Sequence, residues 1–114
     1  MIEIWHNPRC SKSRQALALL QDQGINPRVH RYLDDPPTDK ELRQAIKALD
    51  LSSPLEMMRT GEKRFKELGL TPDTDAETLI RAMVGNPILI ERPIVLNGGR
   101  AVIGRPPENV LTLL

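Results

Sequence analysis

Ile2-Glu3-Ile4-Trp5-His6-Asn7-Pro8-Arg9-Cys10-Ser11-Lys12-Ser13-Arg14 carries a strand into a helix and sets the only cysteine at the junction. Ile2 to Trp5 alternates apolar and polar as a half-buried strand does, while Ala16, Leu17, Leu19 and Leu20 recur at helical spacing. Asn7-Pro8 breaks the strand and forbids an early helix. The first helical turn is therefore expected next to Cys10, whose sulfur would face unpaired backbone N–H groups and the positive end of the helix dipole.

Magnitudes limit what that position can do. A free cysteine, with a pKa of about 8.5, is only a few per cent thiolate at pH 7, and the thiolate is the nucleophile. A helix N-terminus contributes about 0.3 to 1 kcal/mol and one pKa unit is about 1.4 kcal/mol, so the dipole alone moves the thiol by roughly a unit or less. Ser13, on the same helix face, can donate a hydroxyl hydrogen bond to the sulfur, and Arg9, Lys12 and Arg14 add positive potential. Together they favour an ionised Cys10. The competing reading is a buried thiol packed as a small hydrophobe among solvated basic residues.

Outward from this stretch, Gln23-Gly24 marks the helix C-terminus. Arg28-Val29-His30-Arg31-Tyr32-Leu33 reads as a second strand after Pro27, and with the helix between them the two strands form a right-handed parallel βαβ unit. His30 alternates with basic residues and is expected exposed on that strand. After the turn Asp34-Asp35-Pro36-Pro37, Thr38-Asp39-Lys40-Glu41 is a capping box opening a helix to about Leu49, with Leu42, Ala45, Ile46 and Leu49 as its buried stripe. Ser53-Pro54-Leu55-Glu56 repeats the start signal for a short helix carrying Met57, Met58 and Arg59. Lys63 to Leu68 forms another helical turn, and Thr74-Asp75-Ala76-Glu77 is a third capping box before Leu79, Ile80, Met83 and Val84. Gly85-Asn86-Pro87 ends that helix.

Ile94-Val95-Leu96 and Arg100-Ala101-Val102-Ile103 flank Asn97-Gly98-Gly99, a strong hairpin signal because these residues tolerate positive φ. Gly104-Arg105-Pro106-Pro107-Glu108 leads to a last helix with Val110, Leu113 and Leu114 apolar. The order gives an α/β protein: a four-stranded mixed sheet flanked by helices, with a helical insertion over about 38–86 between the βαβ half and the C-terminal hairpin. That is a thioredoxin-like arrangement. Pro93, which opens a strand in Arg92-Pro93-Ile94, is a candidate for a cis peptide bond.

At 114 residues the chain is expected to be one domain, 1–114, with a single core. Aromatic residues make up only 3%, so that core must be aliphatic. A net charge of +1 argues neither for nor against a nucleic-acid partner, and no basic run interleaved with aromatics suggests a nucleic-acid groove. One cysteine excludes an internal disulfide and suits a reducing compartment. Met1-Ile2-Glu3 opens with neither a basic segment nor a long apolar run, so no signal peptide and no membrane span is read and the cytoplasm is expected. The two histidines and one cysteine match no ligand spacing, so no metal is expected.

His6-Asn7-Pro8-Arg9-Cys10 with Ser13-Arg14, Tyr32-Leu33 with Pro36-Pro37, Leu68-Gly69-Leu70, Asn86-Pro87-Ile88-Leu89-Ile90-Glu91-Arg92-Pro93-Ile94-Val95 and Gly104-Arg105-Pro106 together resemble the glutaredoxin-coupled arsenate reductase family over nearly the whole length. Ser11-Lys12 departs from the small uncharged residues usual there in the best-known reductases, and the chain resembles as closely a branch without a settled substrate. The resemblance implies a catalytic Cys10, three anion-holding arginines at Arg59, Arg92 and Arg105, and a cis peptide before Pro93. It also implies glutathione as co-substrate and glutaredoxin as partner, with no bound cofactor. Guanidinium forks and a helix N-terminus suit a tetrahedral oxyanion such as arsenate. His6 is read either as a group that tunes Cys10 or as a hydrogen-bonded strand-end residue. Each arginine also has a plainer reading, Arg59 as the solvated edge of a short helix and Arg92 and Arg105 as turn residues beside proline. Two other functions stay open. One is a glutathione-dependent thiol-disulfide oxidoreductase whose arginines bind glutathione carboxylates. The other is a redox-responsive transcription regulator binding RNA polymerase, which ranks last because Ser13 stands where its Cys-x-x-Cys switch needs a second cysteine.

Overall fold

The computed structural model describes residues 1–114. Four strands form one sheet in the order β2-β1-β3-β4. β1 (Ile2–Trp5) pairs in parallel with β2 (Arg28–His30), Trp5 opposite His30. It pairs antiparallel with β3 (Ile94–Asn97), and β3 with β4 (Arg100–Ile103) through the expected hairpin, in which Gly98 takes φ 63°. Between β1 and β2 lies α1 (Ser11–Asp22). Between β2 and β3 come α2 (Asp39–Ala48), α3 (Lys63–Glu67) and α4 (Ala76–Gly85), with 3-10 turns at Pro54–Met57 and Pro87–Leu89. A last 3-10 helix spans Pro107–Leu113.

Successive strand residues point to opposite faces, and each face is covered. Ile4 and Val95 pack with Ala16 and Leu20 of α1 and with Val110 and Leu113. Trp5 and Ile94, one residue along, join the larger cluster under the insertion, with Leu42, Met57, Phe65, Leu79, Met83 and Leu89. The Thr38–Glu41 capping box closes at both bonds. At α4 it is Asp75, not Thr74, that caps, its carboxylate accepting from the Thr78 N–H at 3.1 Å; a free carboxylate one residue nearer the helix displaces the expected box. No helix is long and apolar enough to cross a membrane.

Two local expectations are corrected. β2 ends at His30, because the N–H groups of Asp34 and Asp35 turn back to the Arg31 carbonyl. His30 is buried rather than exposed, 7% accessible, edge-on to Trp5 at 5.9 Å. Its Nε2 donates to the Asp35 carbonyl at 2.6 Å and its Nδ1 lies 3.3 Å from Glu3 Oε2. The second correction concerns Met58 and Arg59. The short helix stops at Met57, and Met58 is extended, forming an antiparallel bridge to Ile90.

Candidate active site

Cys10 is the N-cap residue of α1, with φ −94° and ψ 123°, so the helix starts directly after it as the sequence requires. The loop before it is pinned. The Asn7 side chain accepts from the Arg9 N–H, the Asn7 carbonyl from the Cys10 N–H, and the Pro8 carbonyl from Arg14 Nη1, each at 3.0 Å. The sulfur closes no cap hydrogen bond of ordinary length. Burial pushes its thiol up, but the Ser13 N–H, the nearby Arg92 guanidinium and the Lys12 N–H together hold it below the ordinary cysteine value. Arg105 Nη2 reaches to 3.9 Å of Sγ, long even for an N–H···S contact, and Arg92 is the guanidinium that acts on the sulfur more strongly.

Ser13 acts through its backbone and not through its hydroxyl. Oγ lies 2.6 Å from His6 Nδ1 and accepts from the Asn7 N–H at 3.0 Å. A hydroxyl has two lone pairs and one proton, so the Oγ–Nδ1 bond forms with either neutral tautomer of His6. His6 is 6% exposed, and burial followed by the charges of Arg31 and Arg14 lowers its pKa, so it is neutral at pH 7. Its N–H also donates to the His30 carbonyl at 2.8 Å. Of its two readings, this geometry matches the hydrogen-bonded strand-end residue. Arg9, Lys12 and Arg14 are exposed around the thiol.

The three arginines arrive from far along the chain. The bridge between Met58 and Ile90, with Arg59 N–H to the Leu89 carbonyl and Glu91 N–H to the Met57 carbonyl, both at 2.8 Å, clips the Arg59 segment to that of Arg92. The Gly104 N–H bonds the Pro93 carbonyl at 2.8 Å, and Arg105 Nε donates to the Arg92 carbonyl at 2.9 Å, fixing the third beside the second. The Arg92–Pro93 and Arg105–Pro106 peptide bonds are both cis. Arg59 and Arg105 line one cleft with Glu62 and Glu91. Each has a carboxylate partner there, Arg59 Nη1 to Glu62 at 2.7 Å and Arg105 Nε to Glu91 at 3.2 Å. Arg92 differs: its Nε and Nη1 are buried and pair with no protein group.

Sequence reasoning missed Glu62, Glu91 and Tyr32. The first two carried a signal, since Arg59 and Glu62 stand at helical i,i+3 spacing and Glu91 precedes Arg92 directly. Tyr32 is 1% exposed; burial pushes its phenol up to about 12, opposed by Arg92 and Arg59 and reinforced by the negative charges of Cys10 and Glu91. No three His, Cys, Asp or Glu side chains converge as metal ligands.

A thiol biased toward its anion, at a helix N-terminus with Arg92 and Arg105 beside it, has the charge environment in which a thiolate can meet an anion. The sequence pattern of the ArsC family matches residues 5–113. The chain belongs to the ArsC family. An arsenate reductase of Neisseria meningitidis serogroup A is 50% identical over 114 residues, covering 99% of this chain and 97% of its own. An uncharacterised protein of Escherichia coli K12 is 49% identical, covering 99% of this chain and 96% of its own. The solved structure of an arsenate reductase from Vibrio cholerae superposes with a TM-score of 0.96 at 47% identity, covering 99% of this chain and 97% of that one.

Proposed function

We propose that this ArsC-family protein reduces arsenate to arsenite in the cytoplasm, with Cys10 as nucleophile and glutathione and glutaredoxin as electron donors. The observation that carries the reading is Arg92, whose two unpaired buried nitrogens belong to the guanidinium that favours the anion of Cys10. A buried guanidinium without partners is costly, and a bound oxyanion supplies the acceptors. The positive charge also offsets repulsion between the thiolate and the incoming anion.

The Cys10 thiolate attacks arsenic of the singly charged arsenate anion, one oxygen takes a proton and leaves as water, and a sulfur–arsenic(V) bond forms. Glutathione thiolate then attacks the Cys10 sulfur. The electron pair of the sulfur–arsenic bond passes to arsenic, which leaves as arsenite, and Cys10 remains as a mixed disulfide with glutathione. Glutaredoxin thiol removes the glutathionyl group and returns Cys10 as thiolate. With a single cysteine in the chain, both electrons must come from outside.

The test is arsenate-dependent NADPH consumption coupled through glutathione reductase, with glutathione and glutaredoxin present. Activity is expected in the native protein, none in Cys10→Ser, and about a hundredfold less in Arg92→Ala, as for loss of one donor to the reacting centre. Disulfide turnover that ignores arsenate would overturn this reading in favour of a thiol-disulfide oxidoreductase.

A further inference from the structure

We propose that the hydroxyl of Tyr32 is a fourth donor to the bound oxyanion, a catalytic group that touches substrate beside Arg59, Arg92 and Arg105. The inference rests on the oxyanion reading above. Tyr32 stands two residues past the end of β2, and β2 runs parallel to β1 with His30 opposite Trp5. The turn that carries it therefore leaves the sheet at the same end as the loop that carries Cys10. Its ring belongs to the apolar cluster that includes Met57, Met58, Leu89 and Ile90, the segments clipped together to present Arg59 and Arg92. Enclosed in that way, the ring has one polar atom, and the charges that reach it are Arg92, Arg59, the Cys10 thiolate and Glu91. They are the charges of the site itself.

The hydroxyl of a tyrosine whose ring is buried ordinarily finds a partner. This one takes no part in the hydrogen bonds that pin the surrounding loops and is not among the fully buried unpaired atoms, so its oxygen is open to a small ligand. With its pKa at about 12 it keeps its proton throughout the neutral range and can donate. An oxyanion held by guanidinium forks still offers acceptors, and a neutral donor aimed at an arsenic-bound oxygen strengthens as that oxygen gains charge during attack.

Tyr32→Phe preserves the ring in its cluster and removes one oxygen. The probe is protection of Cys10 from iodoacetamide by added arsenate at neutral pH. The expected result is a rise of roughly tenfold or more in the arsenate concentration for half-protection, as for a lost hydrogen bond to a charged group. The alkylation rate without arsenate and its pH midpoint should not change, because a neutral phenol adds no charge beside the sulfur. Half-protection at the wild-type concentration overturns the assignment of Tyr32 and leaves the oxyanion reading standing. An altered rate without arsenate marks a structural role and also overturns it. Wild-type protein that arsenate fails to protect overturns both. Should Tyr32→Phe not fold, the Cζ resonance of the chain's single tyrosine, isotopically labelled in the wild type, decides the matter. A shift that titrates with arsenate supports the assignment and an unmoved resonance overturns it.

Discussion

Cys10 draws its bias toward the anion from two sources, the N–H groups of its own helix turn and a guanidinium brought from the other half of the chain. The helix contribution was legible in the sequence, because Asn7-Pro8 forces the helix to start beside the thiol. The part played by the Ser13 hydroxyl was not, since spacing alone cannot tell that His6, seven residues back, competes for it at 2.6 Å. Ser13→Ala would leave the buried His6 ring and the Asn7 N–H without their partner, at a cost of about 1–3 kcal/mol in unfolding free energy. Its effect on the Cys10 alkylation midpoint is expected to be smaller than that of Arg92→Ala, because the N–H of residue 13 survives. pH reports the same arrangement. A thiol whose folded pKa is depressed stabilises the fold fully above its unfolded value, near 8.5, and loses that contribution as pH falls through the folded one. The stability of the wild type relative to Cys10→Ser, from denaturant titrations, should therefore increase as pH is raised across that window.

At the scale of elements, the site depends on how closely the turn after β4 lies on the start of β3. A Cβ on Gly104 would stand 2.7 Å from Pro93 Cγ and 3.3 Å from Val110 Cγ1, and neither is the far end of a flexible chain. Gly104→Ala is expected to cost about 1–3 kcal/mol and to move Arg105 away from Arg92, seen as a lower melting temperature together with weaker arsenate protection of Cys10. The hairpin was readable from Asn97-Gly98-Gly99, and the helix starts from their capping residues. The burial of His30 was not, because Glu3, Trp5 and Asp35 meet it only once β1 and β2 pair. His30→Ala should remove about 2–4 kcal/mol of stability, since the Asp35 carbonyl loses its partner along with the packing against Trp5.

Across the whole molecule, one sheet separates two apolar clusters. The smaller sits under α1 and the C-terminal helix, the larger under the insertion, where the single tryptophan is 2% exposed. Ile4 and Trp5 are adjacent and face opposite clusters, so neither can melt without distorting β1. Leu113→Ala, in the smaller cluster, is expected to lose about 2–5 kcal/mol, with Trp5 fluorescence from the larger cluster and far-UV circular dichroism giving coincident transitions. The same sheet brings Cys10, Arg92 and Arg105 to one end, and the Met58–Ile90 bridge ties the Arg59 segment to that of Arg92, an arrangement that no local stretch of sequence contains. The pH dependence of Cys10 alkylation, measured in the wild type and in Arg92→Ala, tests that convergence most directly. The expected result is a wild-type midpoint below that of a free thiol, near 8.5, which rises when Arg92 is removed. A wild-type midpoint at or above the free-thiol value, unmoved by Arg92→Ala, would contradict it.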